Sequence, residues 1–190
     1  MRENKLLQTP SQTVGPYFAY GLTSQQYRYD HAQVADGNLI KDNNNHGECI
    51  TIKGQVLDGE GNFIPDAMIE IWQANAEGNY NVCDFKGFGR QGTGTDKNGY
   101  FIFETVKPGS VNEAAPHINV IVFMRGLLSH VYTRIYFSDE AAANQKDEVL
   151  RSVDEKRRAT LIAKRSEKNG VEYIFNIRMQ GENETVFFDV

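Results

Sequence analysis

His117 and Asn119 are the residues whose types and spacing first indicate chemistry. They occupy alternate positions of residues 117–123, a segment apolar enough to form a β-strand. Both side chains would then point to the same face of the strand, about 7 Å apart. Two histidines at this spacing would chelate a metal ion, but asparagine is a weak ligand for a transition metal. The pair therefore predicts half of a metal site, with the other half missing.

Few other residues could carry chemistry. The sequence has no nucleophile elbow of the form G-x-S-x-G, and its glycine-rich residues 87–94 lack the lysine and the following helix of a phosphate-binding loop. His31 and His46 lie in polar segments, so we expect them to be solvated. The candidates that remain are Tyr80, His117, Asn119 and Arg134.

The elements that would position these candidates are mostly strands. The chain has 17 glycines and 11% aromatic residues, which favours a turn-rich β protein, and a short helix is expected after Ser138. Trp72, the single tryptophan, is assigned to the core. The expected fold is mainly β, a β-sandwich or related open barrel with short helices. Alternating residues predict strands at 50–58 and 67–73, and further strands are expected at 100–105, at two places within 115–137, and at 161–164, 173–179 and 185–189.

Residues 1–48 differ from the rest of the chain. Pro10, Gly15 and Pro16 favour extended geometry, and the aromatic residues that follow are too numerous for a solvated tail. We therefore expect an extended N-terminal arm over residues 1–48, packed on its own domain or on a partner chain. Residues 49–190 would form the β-sandwich core domain.

Composition excludes several classes of function. The net charge is −5 with scattered acidic residues, so neither a nucleic-acid surface nor a basic membrane patch is expected. Cys49 and Cys83 lack C-x-x-C spacing and are expected to be free thiols. No signal peptide is apparent after Met1, and the longest apolar run is too short to cross a bilayer. These features predict a soluble, cytoplasmic protein.

Seven segments, in order along the chain, resemble the intradiol ring-cleavage dioxygenases. The resemblance implies an intradiol-dioxygenase-like β-sandwich and a reaction that opens a catechol ring with O₂ at a non-haem Fe(III). The segments are T-P-S-Q-T-x-G-P-Y (9–17), G-Q-V-x-D-G-x-G (54–61), I-E-I-W-Q-A-N-A-x-G-x-Y (69–80), V-K-P-G (106–109), A-P-H-I-N (115–119), T-R-I-Y-F (133–137) and Q-G-E-x-E-T-V-F-F-D (180–189).

In this family two tyrosines and two histidines hold the iron, and the resemblance implies that this chain has lost half of them. Tyr80 and His117 stand at two of the ligand positions. Asn119 replaces the second histidine, and the P-G-P-Y motif of catalytic chains has become P-G-S-V here, with Ser110 assigned as the other degenerate position. The resemblance thus implies that this chain carries no catalytic residue and no metal. Fe(III) would be held by a related partner, the beta chain of a higher hetero-oligomer.

The same resemblance implies which residues contact the substrate. Within the family, the agreement is with non-iron-bearing chains of enzymes that convert 3,4-dihydroxybenzoate to 3-carboxy-cis,cis-muconate. Arg134 would bind the substrate carboxylate, and Thr13, Gly15, Pro16 and Tyr17 would line the partner's iron pocket. Loops 81–94 and 110–116 are short against the family pattern. Two alternatives remain open: a stand-alone β-sandwich binding module with a degenerate metal site, and a homo-oligomeric enzyme with other iron ligands.

Overall fold

A computed structural model describes residues 8–10, 16–40, 47–166 and 171–190, and for Pro16, Tyr17 and Ala19 it describes the backbone alone. In this part of the chain none of the helices is long and apolar enough to cross a bilayer. The strands are β1 (Cys49–Leu57), β2 (Met68–Gln73), β3 (Phe88–Gly92), β4 (Tyr100–Val106), β5 (His117–Phe123), β6 (Val131–Phe137), β7 (Ile162–Ser166), β8 (Glu172–Ile174) and β9 (Ile177–Arg178). The helices are α1 (Pro16–Leu22), α2 (Ala141–Asn144), α3 (Glu148–Ser152) and a 3₁₀ turn at Arg158–Leu161.

The strands form one curled sheet in the order β3-β2-β5-β6-β7-β8-β1-β4, with β9 beside β1. Its two halves face each other, because apolar side chains from β1 and β4 share one core with those from β2, β5 and β6. Ile52 and Phe103 of one half and Ile71 and Ile118 of the other are at most 1% exposed. The expected mainly-β, sandwich-like fold is confirmed.

The edge strands β3 and β4 are joined by residues 36–39. The carbonyl of Asp36 accepts a hydrogen bond from the Arg90 N–H on β3 at 3.0 Å. Gly37 and Leu39 exchange hydrogen bonds with the backbone of Glu104 on β4 at 2.7 and 2.8 Å. This segment therefore pairs with both exposed edges, which would otherwise present unpaired backbone groups.

The described parts of the predicted arm contact this chain's own sheet. Phe18 packs on Met68 and Phe123, with the two phenyl centroids 5.6 Å apart. Residues 16–22 are helical, so the expected extended geometry is wrong there. Proline at the first helical position supplies the required φ and has no N–H to satisfy, which explains the start of the helix. That the arm also packs on a partner stays a prediction.

Three further expectations differ from the structure. Residues 88–92, expected to be loop, form β3 because their backbone pairs with β2. Residues 185–189 are not a strand, since only Phe188 pairs, with Tyr132 in an isolated bridge. Helix α2 begins at Ala141, and its N-cap is Glu140 rather than Ser138.

Candidate functional site

The candidate residues meet on the outer face of the half-sheet β3-β2-β5-β6. Trp72 on β2 is the register partner of Asn119 on β5, and Asn119 is the partner of Arg134 on β6. Because strand side chains alternate, the neighbouring residues point inward to the core, and this row of three points outward. Tyr80, in the loop after β2, stacks on Trp72 with their rings 8° from parallel.

A cavity of about 680 Å³ opens over this row. Its lining is mostly apolar and includes Trp72, Phe88, Ile121 and Phe188. Arg134 and Asn119 supply polar groups inside it. A volume of this size and lining fits a small aromatic molecule that needs a few polar contacts.

Asn119 uses its whole amide within the site. Its Nδ2 donates to the Tyr80 hydroxyl at 3.2 Å and to the Trp72 carbonyl at 3.4 Å. Its Oδ1 accepts from Arg134 Nε at 3.1 Å. Burial raises the pKa of Tyr80, against the opposing effects of the Asn119 hydrogen bond and the Arg134 charge. Tyr80 therefore stays a neutral phenol, and the amide fixes the row in one arrangement.

His117, at the start of β5, lies on the same strand face as Asn119 but is not among the residues that line the cavity. The ring is buried, and Nδ1 lies 2.8 Å from the Ala115 carbonyl, so Nδ1 carries the proton and Nε2 the lone pair. Burial lowers the pKa of His117, and the nearby Arg134 charge lowers it further. Asp147 fixes this region, since its carboxylate accepts from the Ala115 N–H at 2.9 Å and from the Tyr136 hydroxyl at 2.9 Å.

Arg134 is a cation held by neutral groups. Besides Asn119, its guanidinium approaches the Tyr136 hydroxyl at 3.5 Å. No carboxylate of the described residues lies within 4.0 Å of it. Arg90, on the wall of the same cavity, is instead paired with Glu70 at 2.7 Å. A half-buried guanidinium without a counter-ion is suited to bind a carboxylate.

These residues do not fit the Fe(III) site that the family resemblance implies. Only Tyr80 and His117 remain of a ligand set of four, and the amide of Asn119 is occupied by its neighbours. A guanidinium lies against the same amide, where its charge would repel a trivalent ion. Among the described residues no group of three or more His, Cys, Asp or Glu side chains could hold a metal ion.

The assignment of Ser110 needs a correction of one residue. In the P-G-P-Y motif the tyrosine is fourth, and the fourth residue of the corresponding P-G-S-V is Val111. Ser110 is exposed, and its carbonyl oxygen lies so close to Gly78 that a Cβ there would collide with it. Neither residue can supply a phenolate, so the missing ligand is unchanged by the correction.

The remaining predicted contact residues are Thr13, Gly15, Pro16 and Tyr17, and their contact with substrate stays a prediction. Thr13 and Gly15 lie outside the described residues, and Pro16 and Tyr17 begin α1 with backbone alone described. Sequence reasoning missed that Trp72 lines the cavity, having assigned it to the core. A signal was present, because Trp72 alternates with Glu70, and a carboxylate on that face argues against the sandwich core.

The comparisons with known proteins agree with the motifs. A family model described as Dioxygenase matches residues 15–181. The chain is 52% identical to the protocatechuate 3,4-dioxygenase alpha chain of Burkholderia cepacia over 97% of this chain and 98% of the relative. It is 31% identical to the protocatechuate 3,4-dioxygenase beta chain of the same organism, over 78% of this chain and 71% of that one.

The fold has a solved counterpart in the dioxygenase domain of a carbohydrate-binding fusion protein from Streptomyces sp. SirexAA-E. That domain aligns with a TM-score of 0.64 at 23% identity, covering 95% of this chain and 100% of the domain. The resemblance drawn from the seven segments is thereby confirmed. With a family model matched over most of its length, the chain belongs to the intradiol ring-cleavage dioxygenases.

Proposed function

We propose that the chain is the alpha, non-iron-binding subunit of a protocatechuate 3,4-dioxygenase. The assembled enzyme would cleave 3,4-dihydroxybenzoate between its two hydroxyl-bearing carbons. Both atoms of O₂ would enter the product, 3-carboxy-cis,cis-muconate. Such a catabolic enzyme would work in the cytoplasm, as a higher hetero-oligomer with a beta chain.

The Asn119–Arg134 contact carries this proposal. A chain this similar to an alpha chain over its full length has a hydrogen-bonded amide and guanidinium where the family resemblance implies a metal ligand. Fe(III) would therefore be held by the beta chain. The similarity to a beta chain as well supports a pair of related subunits, since homologous chains can build one interface from matching surfaces.

Arg134 is the residue of this chain that we assign to the substrate carboxylate. Its guanidinium lines the cavity and has neutral hydrogen-bond partners, so a benzoate-type anion would supply the charge that the described residues do not. Thr13, Gly15, Pro16 and Tyr17 would line the partner's pocket. Thr9, at the start of that segment, lies on the wall of the same cavity, which supports placing the arm and Arg134 at one interface.

The proposal is tested by purifying the chain alone and together with its beta chain, followed by a metal assay and visible absorption spectroscopy. We expect the pair to hold one iron per two chains with a tyrosinate–Fe(III) band, and the chain alone to be colourless. Stoichiometric iron with that band in the chain alone would refute the proposal.

The alternative of a stand-alone binding module retains one observation in its favour, because the cavity is complete within a single chain. That module would not associate with the beta chain during co-purification. Stable association, with turnover that requires both chains, excludes it.

A further inference from the structure

Glu70 and Arg90 form an ion pair on the outer face of the sheet, beneath the N-terminal arm. They are register partners on β2 and β3 and are 2% and 6% exposed. Arg90 Nε and one terminal nitrogen lie 2.8 and 2.7 Å from the same Glu70 oxygen, Oε1. The function proposed above leaves this pair without a role.

The pair binds the arm at two places that are far apart in sequence. The Thr9 hydroxyl donates to Glu70 Oε1 at 2.6 Å and accepts from Arg90 Nη2 at 3.0 Å. Arg90 Nη1 reaches the carbonyl of Leu22, the last residue of α1, at 3.4 Å. One guanidinium therefore contacts the chain on both sides of residues 10–21.

A second contact lies further along β3. Gln26 Nε2 donates to the Gly92 carbonyl at 2.7 Å, and Gln26 Oε1 accepts from the Gly92 N–H at 2.8 Å. Phe18, between the two contacts, is buried against Met68 and Phe123. The arm is thus fixed before, within and after α1.

A contribution to stability does not by itself explain why an ion pair is buried this deeply. Desolvation of two charges offsets most of their attraction, and apolar residues of similar size usually serve the fold as well. What an ion pair adds is directed hydrogen bonds, which an apolar pair cannot offer. Both Glu70 and Arg90 direct bonds at Thr9, the residue from which the arm segment departs.

We infer that the Glu70–Arg90 pair is a positioning element for the N-terminal arm, holding Thr9 and Leu22 so that residues 13–17 are delivered to the partner's substrate pocket. This inference rests on the proposed function, because it assumes that the arm lines that pocket. Thr9, Glu70 and Arg90 are positioning residues, since they act through the arm.

The test substitutes Thr9→Val in the assembled enzyme, which removes the hydroxyl and keeps the side-chain shape. We expect KM for 3,4-dihydroxybenzoate to rise about threefold to tenfold, because two charge-assisted hydrogen bonds that hold the arm are lost and part of that loss is felt at the pocket. Iron content and kcat should stay within about twofold of wild type. Thr9→Ser restores the hydroxyl and should restore KM. Thr51→Val is the matched control, because Thr51 is half-buried on β1, in the other half of the sheet.

Hydrogen exchange at residues 8–22 supplies a readout that does not depend on activity. Thr9→Val should exchange faster there than wild type, while β5 and β6 keep their protection. Unchanged exchange, or faster exchange with unchanged KM, would overturn the inference. Deletion of residues 1–15 separates it from the proposed function. An unchanged KM in the deletion variant would refute the arm's role itself, whereas a raised KM in the deletion and a normal KM in Thr9→Val would refute the positioning role alone.

Discussion

Arg90→Met and Arg134→Met make the same chemical change on the wall of one cavity, and we expect a large loss of stability from the first and almost none from the second. Arg90 is paired with buried Glu70, whereas the described partners of Arg134 are the neutral groups of Asn119 and Tyr136. Removing an arginine that stabilises the fold should lower the free energy of unfolding. Removing an arginine whose role is to bind a ligand should leave that free energy nearly unchanged.

The magnitudes follow from what each substitution leaves behind. Without Arg90, the carboxylate of Glu70 stays 2% exposed with the Thr9 hydroxyl as its remaining described partner. Stranding a buried charge in this way costs about 3–5 kcal/mol. Arg134→Met loses two hydrogen bonds to neutral groups, one of them long at 3.5 Å. Because the donor is charged, that loss is about 2 kcal/mol, and it is largely offset by removing a partly desolvated charge, for a net change within about 1 kcal/mol of zero.

Urea unfolding of the full-length chain, followed by fluorescence of the single tryptophan, measures both variants with one probe. In the assembled enzyme, Arg134→Met should raise KM for 3,4-dihydroxybenzoate about tenfold or more with iron retained, because a charge-assisted contact to the substrate is lost. If Arg134→Met destabilises the chain as much as Arg90→Met, Arg134 is a structural residue. An unchanged KM in the Arg134→Met enzyme would show, independently of stability, that Arg134 does not bind the substrate.

Two other substitutions address the degenerate metal site. Val111→Tyr with Asn119→His replaces the two absent ligand types, yet we expect no stoichiometric iron in a metal assay while Arg134 remains. Its charge at about 6 Å repels Fe(III) by roughly 8 kcal/mol at an effective dielectric constant of about 20, so an iron-loaded, coloured double variant would contradict this reasoning. The stability of the chain should also depend on pH, because burial lowers the pKa of His117. Below about pH 6.5 the unfolded chain binds more protons than the folded one, so the free energy of unfolding should fall as the pH drops. The slope from this one group is at most about 1.4 kcal/mol per pH unit, and it should disappear in His117→Gln but persist in His31→Gln, which removes an exposed histidine.

Strands whose side chains alternate regularly could be predicted from the sequence. Whether the other segments form strands depended on hydrogen bonding to a neighbouring strand. The sequence pattern of residues 117–123 predicts a strand, and the structure has β5 begin at the predicted residue, His117. β3 could not be found in this way, since Gly89 and Gly92 have no β preference and Phe88 finds its place by pairing with Trp72. Residues 185–189 show the reverse case, an apolar segment that pairs at one residue only, Phe188 with Tyr132 near the start of β6.

The site residues that belong to recognisable motifs could be predicted from the sequence, whereas the contacts that tertiary packing builds could not. Asn119, Arg134 and Tyr80 were named from the sequence, and the structure brings them together. The Thr9–Glu70–Arg90 contacts join residues 61 and 81 positions apart, and nothing in the local pattern of β3 indicates them. Helix α1 was missed for a related reason, because the same prolines that favour extended chain also start helices.

The position where the family resemblance implies a missing histidine lies directly beside the cation, because Asn119 and Arg134 are register partners on neighbouring strands. Arg134 Nε needs an acceptor at position 119, which the asparagine carbonyl provides at 3.1 Å. A histidine there could offer only one ring nitrogen, and a metal ion would compete for it. Conversely, a metal ion at this point would lie beside a guanidinium, whose charge would repel it. Changing either residue alone would leave this contact unsatisfied, so we expect the two residues to be exchanged together, and the cavity presents a fixed positive charge at this point.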